Sequence, residues 1–164
     1  MTDAPGMRHA LLPGQAARMP LLLAHTAATC ALAGLVWTVQ LVVYPAFLTV
    51  GPTAAWAGHH AAHTRAMALV VMVPWAVHGA TCALLLLRRP AGVPLPLVLL
   101  AGALGLVTVV VTVAVSVPLH TRLGAGYDPA LAQRLISTNW WRTAAWTASA
   151  AVALAMAHLA SDLA

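Results

Sequence analysis

The sequence predicts an all-α integral membrane protein, a four-helix bundle with short interfacial helices in two of its connections. Three observations lead there. The chain of 164 residues is 62% hydrophobic. Only 7% of it is charged, against about 25% in a soluble domain. Its apolar residues fall into four separate runs, each near the roughly 20 residues that cross a bilayer. There is no Lys and no Glu; the ionic groups are eight Arg and three Asp. The formal charge of +5 is scattered over chain ends and loops, where a bilayer-anchored protein needs it. A nucleic-acid partner would call for a clustered basic face, and none is visible.

A polar tail at 1–19 precedes a single domain at 20–164. The tail reads as disordered. The apolar run after it is longer than the core of a secretory signal, about 7–15 residues, and so reads as a retained first span. The spans are expected at about 20–47, 66–87, 94–117 and 141–159. Gly51-Pro52, Pro90-Ala91-Gly92 and Gly124-Ala125-Gly126 punctuate them. Four spans place both termini on one side, with the Arg88-Arg89 turn. Arginines divide equally between the two sides, and the short turn with adjacent arginines is the stronger topogenic signal. It assigns the termini to the cytoplasm of a multi-pass plasma-membrane protein.

The two remaining connections carry helical patterns of their own. Pro52 suits a first helical turn, and Trp56, His60 and His63 then recur on one face. Asp128-Pro129 reads as a cap and first-turn pair, followed by the stripe Leu131, Leu135 and Ile136. Both segments read as interfacial helices at headgroup depth. Trp140 and Trp141 fit the aromatic belt. In the fourth span, Ala144/Ala148 and Ala151/Ala155 are spaced for close helix contact. Cys30 and Cys82 lie in separate apolar runs and read as small core side chains.

This topology brings the end of the first span, the start of the second, the end of the third and the start of the fourth to one membrane face. The unusual polar residues sit there. Gln40 and Tyr44 share a helix face about 6 Å apart along the axis; they read as substrate contacts or as interhelical hydrogen bonds. His59, His60 and His63 offer imidazole pairs three and four residues apart, and His120 supplies a third ring from another span. His60, His63 and His120 make a complete ligand set for zinc, copper or iron, or are interfacial histidines meeting water and headgroups. Arg65 and Arg142 read as snorkelling cations or as a clamp for an anion. Asn139 and Trp141 open the fourth span beside them. His78 is deeper, about 22 Å along the axis from His63. Pro74 is placed to kink the helix between them. His25 and His158 lie toward the terminal side, within reach of His78.

The order of these motifs resembles the anthrone-oxygenase-like family of small four-helix bacterial membrane proteins, most of unknown function. The resemblance rests on Val43-Tyr44-Pro45-Ala46, on the polar stretch from His60 to Arg65, on Val117-Pro118-Leu119-His120 with Leu123, and on the stretch from Leu135 to Arg142 with Asn139 and Trp141. It covers roughly residues 30–155. His120 stands where the family commonly has Asn, and the spacing around Asn139 is looser in the family. The resemblance implies oxidation of an activated aromatic CH₂ to a ketone by molecular oxygen, with no established cofactor. His60 or His120 as base and Arg142 as cation would form and hold the substrate anion; Gln40, Tyr44, Arg65, Asn139 and Trp141 would line its binding site.

Three functions fit these residues: an oxidoreductase acting on a lipophilic aromatic or quinol-like molecule, a binding or transport-accessory protein using the same cleft, and a structural protein, including one that self-associates as a homo-oligomer. Coupled transport is disfavoured, because no span holds a carboxylate and no inverted repeat is visible.

Overall fold

The computed structural model describes residues 18–161. The polar tail expected at 1–19 lies outside the described residues but for its last two. Four helices make up the described chain: α1 (Arg18–Val50), α2 (Trp56–Leu87), α3 (Leu95–Ala125) and α4 (Pro129–Ser161). Each is long and apolar enough to span a membrane, and the described residues include no strand. The protein is a multi-pass membrane four-helix bundle.

The helices outrun their expected bounds, and the reasons are local. The third span does not stop before Pro118. A π-helical turn, Thr112–Ser116, precedes it, and the helix continues to Ala125. The first span repeats the arrangement, with the π turn Val39–Val43 ahead of Pro45. In both, the proline falls two residues after the π turn. A proline ring collides with the carbonyl four residues back and lacks a donor for it. The wider turn moves that carbonyl aside: the amides of Tyr44 and Val117 bond five residues back, to Val39 and Thr112.

The two connections also differ from expectation. Residues 51–55 form a turn, and helix begins at Trp56 rather than Pro52. The segments around 56–65 and 129–140 are helical, but neither is a separate interfacial helix. No glycine or proline lies between Gly58 and Pro74, or after Pro129 in α4, so each runs unbroken into its span. The Leu131, Leu135 and Ile136 stripe packs into the bundle. Asp128 does cap α4: its Oδ1 accepts from the amides of Ala130 at 2.8 Å and Leu131 at 3.2 Å.

Apolar clusters close both ends of the bundle. Leu22, Leu85, Val98, Ala153 and Met156 fill the terminal end. Phe47, Trp56, Leu119, Leu123, Ala132 and Leu135 fill the other. Lipid gives helices no hydrophobic reason to associate, so this interdigitation and the polar contacts between the plugs hold them. Helix α4 packs with Ala145, Ser149 and Ala153 inward. The expected contacts Ala144/Ala148 and Ala151/Ala155 lie one residue over, on the exposed face. Cys82 is buried, whereas Cys30 is exposed.

Candidate functional site

The connections themselves are pinned together at the site end. The Trp56 indole donates to the carbonyl of Leu123 at 3.0 Å. Gly51 lies directly under the Tyr127 ring, with no room for a side chain. These contacts fix where α2 starts and α3 ends. His60 and His120 thereby face each other across the bundle.

Their rings join Tyr44 in one chain of hydrogen bonds. Nε2 of His60 and Nδ1 of His120 are 3.1 Å apart. Nε2 of His120 is 3.1 Å from the Tyr44 hydroxyl. When Tyr44 donates to His120, His120 donates onward to His60; the opposite sense is equally well formed. Such a row can pass a proton by reversing its direction. Phe47, fully buried, stands at its centre, its ring edge-on to His63 at 4.9 Å and to Trp56 at 5.2 Å.

A second row orients Arg142. Asn139 donates to the Gln40 carbonyl oxygen at 2.8 Å, and Gln40 donates to the carbonyl of Ile136 at 3.3 Å. Asn139 in turn accepts from Nη1 of Arg142 at 3.2 Å. Every amide of this row is committed. The guanidinium is not: its Nε is buried without a partner. Asp128 is the sole carboxylate side chain among the described residues, and it serves the α4 cap.

Both rows border one cavity of about 550 Å³ between α2 and α3. Tyr44, His60, His63, His120 and Arg142 line it, with Met67 and Ser116 among the others. That volume lies within the usual range for small-molecule sites, about 300–1,000 Å³. Its polar groups converge from all four helices.

The candidate residues therefore separate into groups. His60, His63, His120, Tyr44 and Arg142 meet at the cavity. Gln40 and Asn139 are buried behind Arg142 and hold it. Arg65 is exposed and Trp141 is 69% exposed; neither reaches the cavity. Each sits beside a residue that does, on a helix that turns about 100° per residue, which carries it to the outer face. Phe47 and Met67 carried no polar signal in sequence, and only packing reveals them.

The three expected metal ligands are neighbours. Among the described residues, however, no group of three His, Cys, Asp or Glu side chains is disposed as a ligand set. His63 stacks on the face of His120, ring centres 5.6 Å apart, while His60 and His120 point nitrogens at each other.

Compared with protein-family models, curated proteins and solved structures, the chain matches none.

Proposed function

We propose that this protein is a membrane oxidoreductase that forms and holds the anion of a lipophilic aromatic or quinol-like substrate in the cavity between α2 and α3. The observation that carries this reading is Arg142: a cation with no carboxylate partner among the described residues, set by Asn139 and Gln40, sharing one cavity with the His60–His120–Tyr44 row. In this reading His120 takes the proton of an activated CH₂ or hydroxyl group, the row carries it away, and Arg142 compensates the charge left behind. The motif resemblance to anthrone oxygenases supports molecular oxygen as the oxidant, with CH₂ and O₂ becoming C=O and water. The short Arg88-Arg89 turn supports a plasma-membrane orientation with cytoplasmic termini and the cavity toward the outer face.

The test is oxygen uptake by purified protein with an anthrone. His120→Ala is expected to lower turnover by about 10²–10⁴-fold, as loss of a general base does. Arg142→Gln is expected to lower it by about 10²–10³-fold, as loss of a charge-stabilising donor does. Turnover independent of both residues overturns the reading and leaves a binding role. A metal-assisted form of the same chemistry would draw on His60, His63 and His120, the three neighbouring imidazoles. Zinc, copper or iron in the same preparation, lost in His60→Ala, would establish that form.

A further inference from the structure

A second cavity, of about 830 Å³, lies deeper between α2 and α3. Trp75, His78, Cys82, Gly102, Gly105 and Trp146 line it, and it shares Ala68 and Val71 with the outer cavity. Nearly all of its wall is apolar or aromatic. Lipid chains alone would suit such a wall, but one feature would not suit them.

That feature is the proton arrangement behind His78. Thr29 has a single hydroxyl proton, and it goes to the carbonyl of His25 at 2.7 Å. The same oxygen lies 3.0 Å from Nδ1 of His78. It can only accept there, so Nδ1 of His78 carries the hydrogen. Thr81 repeats the pattern. It donates to the carbonyl of Val77 at 2.7 Å and stands 3.0 Å from Nδ1 of His25. Both neutral imidazoles are thus fixed, by the network around them, with a bare lone pair on Nε2. The rings stack with centres 4.8 Å apart. His25 is wholly buried, and its Nε2 has no partner.

His78 differs from His25 in where its free nitrogen lies. Its ring borders the cavity, edge-on to Trp146 at 4.9 Å. Its Nε2 faces Gly105, where a methyl group in place of hydrogen would stand 2.8 Å away. Glycine at 105 leaves that lone pair uncovered. An acceptor held open at membrane depth, without water, is a demand for a donor.

We infer that this inner cavity is a second ligand site, for an aromatic lipophile with a free hydroxyl group that donates to Nε2 of His78. Trp75 and Trp146 supply the ring-stacking walls, and the single acceptor selects a hydroxyl over an ether or a ketone. The inference is independent of the chemistry in the outer cavity.

The probe is 2-naphthol against its methyl ether, which differs only in lacking the donor. Binding is measured by equilibrium dialysis of protein in lipid nanodiscs, against empty nanodiscs to remove partitioning. The wild type is expected to favour the naphthol about fivefold, the worth of roughly one net hydrogen bond. Gly105→Ala sets a methyl group against Nε2, so that the lone pair is covered or the His78 ring is turned away from the cavity; either way it is expected to abolish the preference. His78→Phe is expected to do the same with ether binding retained. Should His78→Phe not fold, Gly105→Ala decides alone. Equal binding of the two probes by the wild type overturns the inference. So does a preference that survives Gly105→Ala, or one that is lost in His120→Ala instead, which would place the hydroxyl in the outer cavity.

Discussion

Asn139 sets the standard for what one side chain does in this bundle. It is fully buried, donates one hydrogen bond to Gln40 and accepts one from Arg142. Asn139→Leu keeps the volume and strips both bonds, leaving the Gln40 oxygen and an Arg142 donor unpaired. Each unpaired buried group costs about 1–3 kcal/mol. The single variant is therefore expected to melt well below the wild type in detergent. Gln40→Leu combined with Asn139→Leu removes the Gln40 oxygen with its partner, and is expected to melt closer to the wild type than Asn139→Leu alone. A double variant less stable than the single would show that the pair supports the fold and not the aim of Arg142. At this scale the sequence was partly legible. Polar residues within or at the ends of the apolar runs announced Gln40, Tyr44, His120, Asn139 and Arg142, because lipid tolerates such groups only with partners. Whether each faces the cavity or stands behind it was not legible. Arg65 and Trp141 missed the cavity by the rotation of one or two helical positions, which spacing to an unknown axis does not determine.

The elements were legible in number and not in detail. Four apolar runs gave four helices, but Pro118 read as a stop and Pro52 as a start. The first misreading has an instructive cause, since a π turn costs no polar signature in sequence. The turns at Val39–Val43 and Thr112–Ser116 each add one residue to the helix, and each lies ahead of a proline. If the extra residue exists to clear the proline, the two must be energetically coupled. Deletion of Val113, which is exposed and touches no core, returns the turn to α-helical register. The carbonyl of Ala114 then meets the Pro118 ring, at about 3 kcal/mol or more. The same deletion in a Pro118→Ala background is expected to cost less by about that amount, the shared register shift cancelling in the cycle. Equal costs in the two backgrounds, measured by thermal melting, would detach the π turn from the proline. Tyr44 directly after the first turn and His120 four residues after the second are placed by the same device. Each π turn rotates the helix end that lines the outer cavity relative to the end that packs the bundle.

At the scale of the whole molecule, the arrangement of the spans matters more than any single residue. Helices α1 and α4 are the most buried of the four, and α2 is the least. The seam between α2 and α3 is correspondingly loose, and both cavities lie along it. The inner one extends to Leu86, Leu106 and Val109, all of them exposed toward lipid. The two cavities share Ala68 and Val71, so this seam is the route by which a molecule dissolved in the bilayer would reach the His60–His120–Tyr44 row sideways, without passing through water. Joined to the proposed function, this route predicts a kinetic law: turnover of an anthrone or quinol should follow its mole fraction in the membrane phase. Adding inert lipid or detergent at fixed total substrate is expected to lower the rate in proportion to the dilution, once the mole fraction is below saturation. Adding water, which leaves the mole fraction of a strongly partitioned substrate unchanged, is expected to leave the rate per protein unchanged. A rate that fails to follow the mole fraction overturns loading from the bilayer. Filling the seam separates lateral loading from access on the headgroup side. Ala68→Trp narrows the passage shared by both cavities while leaving the His120 row intact, and it should raise the apparent KM for membrane-borne substrate with little change in kcat. Lateral access requires that split, because a barrier on the path slows arrival and leaves the chemistry of the bound molecule untouched.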